Sequence, residues 1–278
     1  MIPWQAVVAA LAAAMMHAAW NAGLKAGKDR LLDAALLFGC AGLIGLAIVV
    51  TRAPLPAEAW AWIGLTTALH LPYVYLLARA YELGELSHVY TIARGLPPIM
   101  IAALAAATIH EIPSPMAAAG IATISFGILI VGLSPGAHLQ GTLIAAAVAV
   151  CIALYSLSDG IGVRISGDAV AYNSWVFASI GLVVGLMALI VRRNEQLPAY
   201  VAKHWRRGVI GGALSFVSYG LVLWAMTIAP IAAVSAFRET AVVFGALYGV
   251  LFFGEAAGSR RIAGALIVAL GAVILKFA

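Results

Sequence analysis

An all-α integral membrane fold is predicted for this chain: ten transmembrane helices arranged as two inverted five-helix repeats around a central cavity. Three observations predict it. The 278 residues are 64% hydrophobic and only 10% charged, with a mean hydropathy of +1.04; a typical soluble domain is roughly half apolar and about a quarter charged. Cut at its charge and proline clusters, the chain falls into ten apolar segments of about 20 residues, the length a helix needs to cross a bilayer. Finally, Arg94 and Arg238 lie 144 positions apart, and at that same offset Tyr75 matches Tyr219, Glu111 matches Glu255, Gly120 matches Gly264 and Gly127 matches Gly271.

The segments run over 3–24, 31–51, 59–80, 86–108, 114–133, 139–163, 168–191, 205–228, 231–253 and 260–277. Their unbroken apolar runs exclude a β-barrel, whose strands alternate over about ten residues. Segment 1 has small residues like a secretory signal, but it lacks a basic leader and runs into His17, Asn21 and Lys25, so it reads as a retained helix. His17 and Asn21 are i, i+4 neighbours with Trp20 beside them. Such residues either bond a neighbouring helix or line a site. Cys40 and Cys151 sit in segments 2 and 6 without metal or redox spacing and read as small core residues. Segment 3 holds Tyr75 and is interrupted by Pro72.

Segment 4 places Ser87, Thr91, Arg94, Gly95 and Pro98 on one face, and Pro97-Pro98 breaks it just after the arginine. Segment 6 carries Tyr155 and Asp159, the latter read as a helix-end acid near Arg164. Segment 8 carries Tyr219 and Trp224. In segment 9, Ser235, Arg238, Glu239 and Val242 form the matching stripe, without proline. Helix 4, with Gly95 and its prolines, is therefore expected to be the moving gate and helix 9 the stiffer one. Trp4, Trp60, Trp62 and Trp205 stand at helix ends as interfacial anchors. Tyr75, Tyr81, Tyr90, Tyr155, Trp175, Tyr219 and Trp224 could build an aromatic wall.

Each arginine falls about eight residues into its segment, roughly 12 Å at ~1.5 Å per residue, close to the middle of a hydrocarbon core about 30 Å thick. A charge at that depth faces a cavity, a partner or a pathway. Glu239 neighbours Arg238 and could also pair across the repeat axis with Arg94, as a buried charge needs a partner. The candidate solute-binding residues are thus His17, Trp20, Asn21, Tyr75, Tyr90, Thr91, Arg94, Tyr155, Tyr219, Trp224, Ser235, Arg238 and Glu239, with Pro72, Gly95, Pro97 and Pro98 as hinges.

An odd number of helices per repeat makes the second copy enter the membrane from the opposite side. One membrane domain spans 1–278, its repeats being 1–135 and 136–278. Upstream the offset slips to 137, pairing Asn21 with Ser158, and the longer loop RRNEQLPAYVAKHWRR absorbs the difference. Lys25, Lys28, Arg30, Arg79, Arg192, Arg193, Lys203, Arg206, Arg207, Arg260 and Arg261 fall on one side, and Arg52, Arg164 and Lys276 on the other. The positive-inside rule places the first set in the cytoplasm and both termini outside. The net charge of +5 is topology and implies no nucleic-acid partner. The expected partners are a small-molecule solute and the lipid bilayer, and a complete repeat can work as a monomer. Neither a cofactor nor a metal is expected, and no nucleophile–base pair or HExxH pattern supports an intramembrane lipid-modifying enzyme.

HAAWNAGLK in segment 1, ARAYELGELSHVYTIARGLPPI across segments 3 and 4, and segment 9 followed by FFGE resemble the EamA-type branch of the drug/metabolite transporter superfamily. The resemblance covers essentially the whole chain, and its nearest functional group is the YddG-like exporters of amino acids, aromatic ones included. It implies a basket-like bundle in the bacterial inner membrane that exports small metabolites by alternating access. Drug and nucleotide-sugar-like solutes are the alternative cargo of the same fold. Such relatives often keep their termini in the cytoplasm, against the charge count here. Small relatives couple to protons through a glutamate of helix 1; segment 1 has no acid, which counts against proton antiport.

Overall fold

A computed structural model describes residues 1–25, 30–83, 86–132, 138–191, 196–253 and 258–278. Twelve helices and no strands occur among them: α1 (Trp4–Lys25), α2 (Arg30–Val49), α3 (Ala57–Leu83), α4 (Leu86–Gly95), α5 (Pro97–Thr108), α6 (Pro115–Gly132), α7 (Leu139–Ser166), α8 (Ala169–Val191), α9 (Gln196–Ile228), α10 (Ile231–Glu239), α11 (Ala241–Phe253) and α12 (Ser259–Phe277). Lys28, Arg192, Arg193 and Glu255 lie outside the described residues, as do the side chains of Lys25, Arg30, Tyr81 and Ser87.

Two segments read as single helices are each a pair. Segment 4 divides at Leu96 because Pro97 and Pro98 have no N–H, so the carbonyls of Ala93 and Arg94 lose their helical donors. The chain stays nearly in line: Leu96 N–H still reaches the Ile92 carbonyl at 3.3 Å, and Met100 N–H the Leu96 carbonyl at 3.2 Å. Segment 9 divides at Thr240 without proline, which corrects the expectation of an unbroken, stiffer helix. The Thr240 hydroxyl donates to the Phe237 carbonyl at 2.6 Å, and its N–H reaches the same oxygen at 3.2 Å. That local tightening to i, i−3 bonding ends one helix and starts the next. Leu96 and Thr240 are themselves 144 positions apart. Pro72, by contrast, lies on the exposed side of an α3 that continues unbroken past it. The loop expected to absorb the repeat slip is mostly helical, since α9 already starts at Gln196.

Among the described residues, seven stretches are long and apolar enough to cross a membrane, by length and composition: Leu31–Val49, His88–Thr108, Pro115–Gly132, Leu139–Ser166, Ala169–Val191, Pro198–Ile228 and Ile231–Phe252. Two of them run through the breaks at Leu96 and Thr240. Rows of leucines and phenylalanines face outward, among them Leu43, Phe126, Leu143, Leu182, Leu251 and Leu266. A soluble surface does not carry apolar area on that scale.

Between helices in lipid there is little hydrophobic drive, so association depends on close backbone packing over small residues. The most extensive helix pairs are α6 on α12, α2 on α8, α3 on α7 and α9 on α1. In the first, the four repeat-matched glycines form the seam. A Cβ added at Gly127 would stand 2.9 Å from the Gly264 carbonyl oxygen, and one at Gly271 would stand 3.0 Å from that of Gly120. Gly127→Ala is therefore expected to lower the thermal unfolding temperature in detergent, at a cost of roughly 1–3 kcal/mol from overpacking. Gly64→Ala, where a Cβ meets nothing within 4 Å, is expected not to lower it.

Candidate functional site

The chain direction gives the bundle two ends. One holds Arg52, Glu111, Arg164 and Pro230, here the Glu111 face; the other holds Asp33, Leu86 and Tyr200, here the Asp33 face. α4 starts from the Asp33 face and α10 from the Glu111 face, and each carries its arginine two residues before its break. At mid-bundle the two breaks meet, with Arg94 Nη1 3.5 Å from Glu239 Oε1.

Around that pair His17, Thr91, Tyr155 and Ser235 are buried, and Trp20, Asn21, Tyr90 and Tyr219 are half-buried. Arg94 Nη2 donates to His17 Nε2 at 2.8 Å, so His17 accepts there and carries its proton on Nδ1. His17 meets the edge of Trp20, ring centroids 4.8 Å apart. The Asn21 amide donates to the His17 carbonyl at 2.8 Å, a bond within its own helix. Each guanidinium has a tyrosine beneath it: Tyr90 lies 5.6 Å from Arg94, and Tyr219, from α9, lies 5.3 Å from Arg238. Thr91 and Ser235, a matched pair one turn before the arginines, are buried. Tyr155 packs on His70 at 4.5 Å and on Tyr73 at 5.7 Å.

Among the described residues, five buried polar atoms here have no hydrogen-bond partner: Trp20 Nε1, Arg94 Nη1, Arg238 Nη1, Ser235 Oγ and Glu239 Oε1. Three are donors only, one hydroxyl can donate or accept, and one is a carboxylate oxygen. Leaving a buried polar group unpaired costs about 1–3 kcal/mol each, more when charged. Two guanidiniums against one carboxylate leave an excess of one positive charge within the cluster. The set suits a small group that brings acceptors and negative charge, together with one donor for Glu239.

Several predicted residues lie elsewhere. Tyr75 is 62% exposed and Trp224 41%; both point outward, so neither lines the centre. The match of Tyr75 to Tyr219 is one of sequence only, and the side chain of α3 that turns inward is Tyr73. Trp175 packs edge-on against Trp60. Gly95, Pro97 and Pro98 are buried at the α4–α5 break.

Asp159 also differs from its reading as a helix-end acid. It is fully buried. Its Oδ1 accepts from the hydroxyls of Thr66 at 2.7 Å and Tyr172 at 3.1 Å, and its Oδ2 accepts from the Tyr219 hydroxyl. Sequence reasoning passed over Thr66, His70, Tyr73 and Tyr172. Thr66 and His70 stand at i, i+4 in an apolar segment, which was the available signal.

Arg164 takes no part in this. It donates to the carbonyls of Met226 at 2.7 Å and Ala229 at 2.8 Å, and to Glu111 Oε2 at 2.8 Å. Glu111 Oε1 in turn accepts the Ile231 N–H at 2.6 Å. The pair therefore joins the end of α7, the end of α9, the start of α10 and the turn after α5. That turn carries His110 at φ 55, in the left-handed region. Two clefts stand apart from the arginines, one of about 240 Å³ on the Glu111 face and one of about 180 Å³ between α3 and α7. In this structure the expected central cavity is a closed polar centre.

No curated protein matches the chain. Twenty-nine chains of solved structures do. One, a crystal structure described only as a protein, aligns over 98% of this chain and 98% of its own, with a TM-score of 0.74 at 18% identity; it is a likeness of fold. The EamA-like transporter family matches residues 139–277, half of the sequence. With its apolar spans and all-helical bundle, the chain belongs to the EamA-like transporter family and is a multi-pass membrane solute transporter.

Proposed function

We propose that this chain is a secondary transporter that exports small metabolites, amino acids above all and aromatic ones among them, across the bacterial inner membrane by alternating access. The observation that carries the reading is the donor-rich buried cluster where the two helix breaks meet. A carboxylate satisfies Arg94 Nη1 and Arg238 Nη1, an ammonium satisfies Glu239 Oε1, and Trp20, Tyr90, Tyr155 and Tyr219 supply faces for an apolar or aromatic side chain. Bidentate guanidinium–carboxylate bonds give both strength and orientation. The same positive excess fits a phosphate-bearing solute such as a nucleotide sugar, so the solute panel below includes one.

Helix pairing supports two inverted repeats with ten spans, α4–α5 and α10–α11 each counting as one. α2 meets its own counterpart α8, α6 meets α12, and α3 on α7 is matched by α9 on α1. Working as a monomer needs nothing beyond this pairing. On the Glu111 face every cation in the sequence is engaged: Arg52 with Asp168 at 3.5 Å, Arg164 with Glu111, and Lys276 with the Ile2 carbonyl at 2.6 Å. The other described cations outside the core belong to the other end, which supports the Glu111 face as the outer one. There the Arg164–Glu111 clamp closes the path, and opening outward breaks it.

Counterflow in proteoliposomes with labelled amino acids tests the reading. Arg94→Ala and Arg238→Ala are each expected to abolish flux while the protein stays folded, and Tyr75→Ala to leave it intact; unchanged flux in both arginine variants contradicts the assignment. Glu239→Gln leaves Arg94 without its carboxylate and is expected to cost about 3–5 kcal/mol of stability, the penalty for breaking a buried pair. Adding Arg94→Gln is expected to recover part of that loss. At the outer face, Glu111→Gln is expected to speed labelling of an Ala232→Cys probe by a membrane-impermeant maleimide. An unchanged labelling rate removes the clamp from the account.

A further inference from the structure

Asp159 is a carboxylate that solute binding, as described above, does not use. It is buried among four helices, and every hydrogen bond it receives comes from a neutral hydroxyl: Thr66 of α3, Tyr172 of α8 and Tyr219 of α9. Among the described residues, no guanidinium or ammonium bonds it. An ionised carboxylate held in the membrane by hydroxyls alone keeps its charge at a cost that a direct cation would offset. It is thus poised to take a proton.

The bonding selects the atom. Oδ1 already accepts two hydroxyls, whereas Oδ2 accepts only Tyr219. A proton arriving at Oδ2 makes that oxygen a donor, so the Tyr219 hydroxyl becomes the acceptor, its own O–H turns away, and a bond to a charged oxygen becomes a weaker one between neutral groups. The ring of Tyr219 is also the surface on which the Arg238 guanidinium rests, 5.3 Å from its centroid. One side chain therefore touches both the acid and the solute-site arginine.

We infer that Asp159 is a proton-exchange site linked through Tyr219 to Arg238, so that a proton and the solute load in opposition and the transporter exchanges one for the other. This rests on the solute site proposed above. With Asp159 ionised, Tyr219 is fixed and Arg238 is seated to receive a carboxylate. With Asp159 protonated, the bond reverses and weakens, so Tyr219 is held less firmly and the seat of Arg238 loosens. By linkage, solute bound at Arg238 disfavours the proton to the same degree. The step is a proton transfer alone: H⁺ binds Oδ2 from one side of the membrane and leaves to the other, with no bond otherwise made or broken.

The groups around Asp159 are consistent with this assignment. α3 presents Thr66 and, one turn on, His70, whose Nδ1 pairs with the Thr66 carbonyl at 2.8 Å. α8 presents Tyr172, α9 Tyr219 and α10 Arg238. On α7 itself Tyr155 precedes Asp159 by one turn, and Arg164 is held by Glu111. From α4, Arg94 turns to His17 and Glu239, and α5 has no titratable side chain. Asp159 is therefore the acid of this group. In the repeat, its counterpart at the upstream offset is Ala22, so only one half carries the site.

The test uses full-length protein in proteoliposomes with labelled phenylalanine as the probe. Wild type is expected to accumulate it when the interior is acidic. Asp159→Asn, which keeps a neutral hydrogen-bonding group at that position, is expected to keep a reduced counterflow against unlabelled phenylalanine, still above the empty-liposome level, while its uptake into acid-loaded vesicles falls to the no-gradient level. Tyr219→Phe, which keeps the carboxylate but breaks the link, is expected to lose the acid-driven accumulation as well. Accumulation that survives in Asp159→Asn, that needs an alkaline interior, or that a sodium gradient drives instead, overturns the inference. Infrared spectroscopy of the purified protein decides the proton site without any solute. A carboxylic-acid band that titrates in wild type and in Tyr219→Phe and is missing in Asp159→Asn supports it; no such titrating band overturns it. If wild type exchanges no solute of the panel in counterflow, the transport reading fails, and the infrared result still judges Asp159.

Discussion

A guanidinium held in the middle of an apolar bundle is the constraint from which the rest of this structure follows. Arg94 persists there only because three helices answer it: α1 through His17, α10 through Glu239, and α4 itself through Tyr90. Each answer fixes a geometry. His17 has to present an accepting nitrogen, Glu239 has to reach across from α10, and α4 has to end near mid-bundle so that the side chain lies level with its partners. The two breaks are part of the same solution. They bring two arginine-bearing spans, entering from opposite ends, to one height.

Around this centre the bundle divides into parts of different character. The α6–α12 and α2–α8 pairs are joined backbone to backbone over small residues, as in the contact of Gly45 with the Ser174 carbonyl, where an added Cβ would lie 2.5 Å from oxygen. They make a scaffold with little room to shift. The central spans are held by an ion pair and by hydroxyl bonds. At the Glu111 face, Arg164 takes the carbonyls of Met226 and Ala229, groups that the end of α9 would otherwise leave unpaired. The Glu111 face is thus closed by a few directional bonds.

The features most legible in the sequence are those that lipid imposes. The apolar lengths, the two arginines and the four seam glycines can be read directly, because a bilayer forbids their casual use. Features that depend on partners distant in sequence could not be read. Asp159 meets hydroxyls 93, 13 and 60 residues away, and nothing in SLSDGIG announces them, so proximity to Arg164 suggested a different role. Thr240 breaks its span through a back-bond to Phe237, a choice that threonine makes in some helices and not in others, whereas the prolines of the other half announce their break. Tyr75 shows the limit of a repeat offset. The match to Tyr219 holds along the sequence, but α3 turns Tyr73 inward in its place, and an offset carries no information about which face of a helix is buried.

The central claim, that the paired arginines receive a solute carboxylate, is tested most directly by equilibrium binding to the purified transporter. Labelled phenylalanine is compared with its α-amide, which keeps the ring and the ammonium but loses the charge. The account predicts that wild type binds the acid and not the amide, and that Arg238→Gln no longer distinguishes them. Equal binding of acid and amide by wild type would contradict it.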